Sequence, residues 1–157
     1  MNRALVLVAL ACLAATSAEA RLGETLEKLK ERYGKPQTQL KKESATWFFD
    51  TDDEKQLVFT ATFNDKGLVI AEGLKPVRYA RLTRESVQAF IDLQVQPFAG
   101  SKTLRSMKPG EQYTFAGKAY TCAATELVIV DDANGILIVW NNGADPFVLA
   151  VTPQMLH

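Results

Sequence analysis

Few side chains in this sequence could carry out nucleophilic, acid–base or metal chemistry. His157 is the only histidine and the last residue, and Cys122 is the only cysteine beyond the first twenty residues. A terminal imidazole is not held in place for proton transfer or metal binding, and a single thiol cannot build a thiolate zinc site. We therefore expect no catalytic residue of these kinds, no metal site and no cofactor.

Two clusters of carboxylates are the remaining candidates for chemistry, at residues 50–54 and at residues 131–135. The second resembles a calcium loop, but Val130 occupies the place where the first carboxylate ligand should stand. Solvated turns explain both clusters better. A carboxylate-dependent hydrolase is left as an alternative. The glycines occur singly and form no phosphate-binding motif.

The first twenty residues have the pattern of a cleavable secretory signal peptide. Arg3 precedes an apolar run over residues 4–15, and a small-x-small step ends at Ala20. A membrane-spanning helix takes roughly 20 apolar residues, so no transmembrane anchor is expected. We expect cleavage after Ala20 and export of residues 21–157 to the periplasm or the exterior. A buried helix and lipid attachment at Cys12 are the alternatives.

The expected mature chain is electrically balanced and of single-domain size. The full chain has 18 basic and 18 acidic residues, and Arg3 and Glu19 leave with the signal segment, so 17 of each sign remain. A neutral chain has no electrostatic footprint for nucleic acid or anionic lipid. Cys122 would have no intramolecular disulfide partner, and its strand-like surroundings predict that it is buried.

Hydrophobic spacing and turn residues predict an α+β fold, in which helices pack on an antiparallel sheet. Helical patterns cover residues 21–33 and 83–93, with Thr25 and Thr83 as N-caps. Residues 100–110 are expected to form a connector. Runs of β-branched and aromatic residues predict strands at residues 46–49, 57–63, 68–71, 112–115, 118–123, 126–131, 136–140 and 147–151.

The two halves of the expected mature chain share a plan, in which a helix precedes a hairpin. The hairpin turns, at residues 65–67 and 132–135, each lead into three aliphatic residues. Two hypotheses remain open. One is a pair of similar units at residues 21–78 and 79–157, and the other is a single α+β domain in which such elements recur by chance.

A further pattern extends over residues 23–76. It consists of a Gly-x-Thr helix start, a Gly-x-Pro helix end, an aromatic strand and a strand–turn–strand. The matching residues are Gly23, Thr25, Gly34, Pro36, Trp47, Phe48, Leu57, Phe63, Asn64 and Gly67. This stretch resembles the SmpA/OmlA family, the small BamE-type proteins of the outer-membrane assembly machinery. The resemblance implies a helix-on-antiparallel-sheet fold and a role in envelope protein contacts. A tandem arrangement of such units is also similar to the fold of secreted β-lactamase inhibitor proteins.

Three adjacent aromatic residues, Trp47, Phe48 and Phe49, are the candidate binding surface. Strand alternation sends Phe48 to the face opposite its neighbours. We expect it to be buried under a helix, and an exposed patch is the alternative.

The leading hypothesis is an exported, non-enzymatic protein-interaction module of the cell envelope, which presents a sheet face or an edge strand to a protein partner. The partner and the oligomeric state are left open. The alternative is a carrier of a small apolar or lipid-like ligand, held between sheet and helices. Its lining would include Phe59, Phe63, Val87 and Phe90.

Overall fold

The computed structural model describes residues 22–50, 56–77 and 82–157. The predicted signal peptide and the acidic residues 52–54 lie outside the described residues. The described part contains two α-helices, α1 at Leu26–Tyr33 and α2 at Arg84–Val95, and short 3-10 turns at Gln96–Phe98 and Pro153–Leu156.

Strands account for most of the regular structure. They are β1 Thr38–Leu40, β2 Ser44–Asp50, β3 Gln56–Phe63, β4 Val69–Pro76, β5 Arg105–Met107, β6 Gln112–Phe115, β7 Lys118–Thr121, β8 Glu126–Asp131, β9 Ile136–Asn141 and β10 Phe147–Val151. Eight of these described strands form one antiparallel sheet in the order β1-β2-β3-β4-β10-β9-β8-β5, and β6 pairs with β7 in a separate hairpin. The predicted α+β class with a large antiparallel sheet is confirmed.

Both α-helices begin at the threonines that the sequence indicates. Thr25 Oγ1 accepts a hydrogen bond from the backbone N–H of Lys28 at 3.4 Å, and Thr83 Oγ1 accepts one from Ser86 at 3.2 Å. Each bond satisfies a first-turn donor that has no partner within the helix. Helix α1 ends at Gly34, whose φ of 79° lies in the left-handed region that glycine tolerates.

Residues 22–24 continue the helical spacing but lie before the helix, which begins after its predicted cap at Thr25. Gly23 N–H donates to the carbonyl of Val69 at 2.7 Å, and Val69 N–H donates to the carbonyl of Glu24 at 2.8 Å. The buried Glu24 carboxylate also accepts two hydrogen bonds from Arg32, at 2.7 and 2.8 Å. These bonds attach the segment to the start of β4 and to the last turn of α1, so the helix begins later.

Both helices pack on the same face of the sheet. Leu29 of α1 and Phe90 of α2 belong to one buried cluster with Trp47 of β2, Phe59 of β3 and Ile138 of β9. Burial of large apolar side chains from both layers is the main stabilising contribution to such a fold.

The hairpin of β6 and β7 covers part of the opposite face. Tyr113 and Phe115 of β6 are buried against Val128 and Val130 of β8 and Leu137 of β9 in a second cluster. None of the buried members of this cluster comes from β1, β2 or β3. The hairpin therefore covers the β8 side of the face and leaves the β1 side without a cover among the described residues.

The sequence patterns missed both edge strands. Strand β5 lies inside residues 100–110, where a connector was expected, and β1 falls in a stretch with no strand pattern. Each is three residues long and borders a single neighbour, β8 or β2 respectively. Such short, largely exposed edges have little hydrophobic alternation from which they could be recognised.

Candidate functional site

A row of cross-strand partners follows the face opposite the helices through all eight strands of the sheet. In order from β1 to β5 it consists of Thr38, Thr46, Thr60, Gly73, Leu149, Val139, Val128 and Met107. Met107 and Val128 are buried beneath the hairpin, Thr46 and Thr60 are half-buried, and Thr38 is exposed. Burial on this face therefore decreases from the β5 edge to the β1 edge.

We name the uncovered region the open face. It is defined by ten residues of β1 to β4 on the side away from the helices, none of which is buried: Thr38, Leu40, Ser44, Thr46, Phe48, Val58, Thr60, Thr62, Gly73 and Lys75. Five of them carry hydroxyl groups, three are large apolar residues, and one is charged. At one end of the strands, the Gln56 amide donates to the Asp50 carboxylate at 2.9 Å.

Phe48 is the aromatic residue of the open face, and the expectation that it is buried under a helix is wrong. Its side chain is 39% exposed. It lies opposite Val58 of β3, which in turn lies opposite the exposed Lys75 of β4. Alternation along β2 explains the difference, because both helices lie on the other face of the sheet. Phe48 and its aliphatic neighbour Val58 form the apolar part of this face together with Leu40, which is 64% exposed.

Trp47 and Phe49 point to the helix side and fix the orientation of β2. Trp47 is 1% exposed, and its indole N–H donates to the carbonyl of Gly34 at 2.9 Å. The Tyr33 ring lies 5.8 Å from the Trp47 ring and 5.6 Å from the Phe49 ring, both edge-on. The three predicted aromatic residues therefore do not form one surface. Two of them anchor β2 to α1, and the third is presented to solvent.

Hydroxyl groups form most of the polar surface of the open face. Thr46 Oγ1 and Thr60 Oγ1 lie 3.3 Å apart across neighbouring strands, within hydrogen-bond distance. A hydroxyl group both donates and accepts, so a partner can form hydrogen bonds there without bringing a charge of fixed sign. The sequence signal for these residues is the alternation in Ser44-Ala45-Thr46 and Thr60-Ala61-Thr62, where each alanine is buried on the helix side.

Both edges of the sheet are poorly suited to pairing with another strand. Strand β1 is only three residues long and follows Pro36. Just before β1, the side-chain oxygen of Gln37 accepts a hydrogen bond from the backbone N–H of Phe48 in β2 at 3.1 Å. This backbone donor is therefore not free to pair with an added strand. At the other edge, Pro109 follows the three-residue β5. Short edges bordered by proline are a common protection against strand addition.

Asp131 is buried within the described structure, and the expectation of a solvated turn is wrong for this residue. Its carboxylate accepts hydrogen bonds from Ser101 Oγ at 2.5 Å, Thr103 Oγ1 at 2.7 Å, and Asn134 Nδ2 and N at 2.8 and 3.2 Å. Burial acts to raise the pKa of Asp131, but the hydrogen bonds lower it to about 2. The carboxylate joins the β8–β9 turn to the loop before β5.

The remaining candidates for chemistry are not brought together by the fold. Asp132 is exposed and accepts a hydrogen bond from the backbone N–H of Ala116 at 2.9 Å. Cys122 is 1% exposed, as predicted, and burial raises the pKa of its thiol. His157 is exposed at the chain end. Among the described residues, no group of three or more His, Cys, Asp or Glu side chains is placed to hold a metal ion.

Side chains fill the space between the sheet and the helices, which is where the carrier hypothesis places its ligand. Phe59, Phe63, Val87 and Phe90 are between 2% and 8% exposed and belong to the same buried cluster. A pocket of about 420 Å³ lies elsewhere, at the end of the sheet where the β3–β4 turn, the β8–β9 turn and residues 152–154 meet.

Comparisons with known proteins identify no relative. A search of protein-family models finds no match, and searches of curated proteins and of solved structures find none of significance. The resemblance of residues 23–76 to BamE-type proteins therefore stays a prediction. Within the described residues, neither α-helix combines the length and the apolar character that crossing a bilayer requires.

Proposed function

We propose that this protein is an exported, non-enzymatic protein-interaction module of the cell envelope, and that it contacts its partner through the open face. The observation that carries the proposal is the half of the sheet face that no other described element covers, with Phe48 39% exposed among five hydroxyl-bearing residues. A face that combines apolar contact area with hydroxyl groups matches the mixed composition of non-obligate protein interfaces.

A face contact is favoured over the addition of a partner strand. The two edge strands have three residues each, whereas β2 and β3, which carry six of the ten open-face residues, are seven and eight residues long. A partner strand would find few free main-chain groups at either edge. A partner that packs on the open face can instead use Phe48 and Val58 as anchors, with surrounding hydroxyl groups as the polar rim.

The proposed organisation is a pair of similar units at residues 21–78 and 79–157. The strand order supports it, because β1-β2-β3-β4 and β5-β8-β9-β10 run inwards from opposite edges and meet at the β4–β10 pair. Each set of four strands follows one α-helix in the chain. In this arrangement the second unit differs from the first by the inserted β6–β7 hairpin, which leaves the open face on the first unit alone.

Export is proposed from the signal-peptide pattern of residues 1–20 and the resemblance of residues 23–76 to envelope proteins. The intact mass and N-terminal sequence of protein recovered from the producing cell test it directly. Protein that begins at Arg21 in an extracytoplasmic fraction supports export. An uncut amino terminus in the cytoplasmic fraction contradicts it.

Site-specific photo-cross-linking tests the proposed contact. A photoreactive phenylalanine analogue is placed at Phe48 in one variant and at Met155 in another, because these side chains are 39% and 43% exposed. We expect one discrete protein adduct from position 48 in cell-envelope fractions and none from position 155. Phe48→Asp should lower recovery of that partner at least tenfold, and Met155→Asp should not. Equal adducts from both positions, or no adduct from position 48, would contradict the proposal.

A further inference from the structure

The pocket at the end of the sheet is built from distant parts of the chain. Its lining residues come from the segment before α1, the β3–β4 turn and the start of β4, the 3-10 turn after α2, the β8–β9 turn and the start of β9, and the residues after β10. With a volume of about 420 Å³ it lies within the range of roughly 300 to 1,000 Å³ that is usual for small-molecule sites. None of the described residues that line the pocket belongs to the open face.

Main-chain hydrogen bonds hold the walls of the pocket on both sides. On one side, the N–H of Gly23 donates to the carbonyl of Val69 at 2.7 Å. On the other side, the N–H of Thr152 donates to the carbonyl of Ile70 at 2.9 Å, and its hydroxyl group lies 3.2 Å from the same oxygen. Because both walls are fixed to adjacent residues of β4, the pocket is formed before any ligand enters.

The lining exposes mainly apolar surface and carries no charged side chain among the described residues. Leu22, Leu68, Ile70 and Phe98 line the pocket and are only half-buried, which is incomplete burial for large apolar side chains. A charged ligand group would lose hydration there without gaining a counter-charge, whereas an alkyl or aryl group would cover apolar surface.

Four polar side chains line the pocket, those of Asn64, Asn134, Thr152 and Gln154. Asn134 Nδ2 already donates to the Asp131 carboxylate at 2.8 Å, and the Thr152 hydroxyl group donates to the carbonyl of Ile70. The exposed Gln154 accepts a hydrogen bond from Asn64 Nδ2 through its side-chain oxygen at 2.9 Å. Its NH₂ group makes no hydrogen bond to another described residue, so it can donate to a ligand oxygen. The Asn64 oxygen is already used, because it accepts from the backbone N–H groups of Lys66 and Leu68, each at 3.0 Å.

We propose that this pocket binds a neutral amphiphile, an alkyl or aryl molecule that carries one oxygen acceptor such as a hydroxyl or ester group. The apolar body occupies the space between Leu22, Leu68 and Phe98, and the oxygen accepts a hydrogen bond from Gln154. This proposal is independent of the protein-binding role of the open face.

Titration with 1-decanol, followed by amide chemical shifts of the full-length mature protein, tests the proposal. We expect saturable shifts at Gly23, Ile70 and Gly135, and contacts from the decanol methyl group to Leu22 and Phe98 in nuclear Overhauser spectra. Decanoate and decyltrimethylammonium, which have the same chain but a charged head, should bind at least tenfold more weakly.

A filling variant and a matched control complete the test. Leu68→Trp should fill the pocket and weaken decanol binding at least tenfold, whereas Leu40→Trp at the exposed β1 edge should leave it unchanged. If Leu68→Trp does not fold, the residues whose amide shifts change when decanol is added to the wild-type protein decide whether the ligand binds in the pocket. The proposal is overturned if decanol causes no amide shifts, or only shifts at residues of the open face. It is also overturned if decanoate or decyltrimethylammonium binds as tightly as decanol. Shifts at Gly23 and Gly135 that change with protein concentration alone also overturn it, since a second copy would then fill the pocket.

Discussion

The Asp131 carboxylate gives a stability prediction that can be worked out from the structure. Its pKa is lowered from 3.8 to about 2, a shift of roughly 1.8 units between the unfolded and the folded chain. At about 1.4 kcal/mol per unit this shift corresponds to roughly 2.5 kcal/mol of stability at neutral pH. Thr103 and Asn134, two of the donors that cover the carboxylate, are themselves exposed. Solvent screening therefore reduces the expected contribution to about 1–2 kcal/mol.

The sign of the pH dependence follows from the lowered pKa. Stabilisation is fully present above the unfolded pKa of 3.8 and is lost as the pH falls through the folded pKa of about 2. We expect Asp131→Asn to lower the free energy of unfolding by about 1–2 kcal/mol at pH 7. The difference from the wild type should shrink between pH 4 and pH 2, where the wild-type carboxylate becomes protonated.

Urea denaturation at a series of pH values measures this effect. Asp145→Asn is the matched control, because Asp145 is exposed and should change the free energy of unfolding by less than about 0.5 kcal/mol. If Asp131→Asn destabilises the protein equally at pH 7 and pH 2, side-chain shape and not the charge is responsible. An unchanged stability at pH 7 would refute the role of the hydrogen bonds as well.

Three further predictions concern the β6–β7 hairpin and the face it covers. Phe115→Ala should lower the free energy of unfolding by about 3–5 kcal/mol in chemical denaturation, since this ring of the hairpin is fully buried against the sheet. The exposed Thr114→Ala should lower it little, and equal losses would show that the hairpin is not packed as described. Ala116→Gly should raise the melting temperature by a few degrees, because a φ of 52° costs alanine about 1 kcal/mol and costs glycine little. A lower melting temperature would contradict that reasoning. The Cys122 thiol should react with Ellman's reagent only as fast as the protein opens, because it is 1% exposed and its pKa is raised; immediate reaction in native buffer would be inconsistent with this burial.

Elements with strong local signals could be predicted from the sequence. The caps of both helices and the ends of β8 and β10 agree with the patterns, because threonine caps and alternating aliphatic residues leave few competing structures. The turn after β3 also agrees, since Asn64 accepts backbone hydrogen bonds and Gly67 has a φ of 74°. These features depend on neighbours within a few residues.

Features that depend on distant parts of the chain could not be predicted. The exposure of Phe48 depends on which face of the sheet receives both helices and on how far the hairpin reaches over the other. Asp131 is buried because Ser101 and Thr103, about thirty residues earlier in the chain, supply its donors. The pocket likewise combines residues 22–23 with residues 152–154. Local patterns do not specify such pairings.

Hydroxyl-radical footprinting tests the central claim, an uncovered sheet face used for contact, most directly. In the isolated protein, Phe48 should be oxidised several-fold faster than Phe49, which lies on the same strand but faces α1. On addition of cell-envelope extract, oxidation of Phe48 should decrease while that of Met155 stays the same. Slow oxidation of Phe48 in the isolated protein would mean that the face is covered, and unchanged oxidation in the extract would mean that no partner binds there.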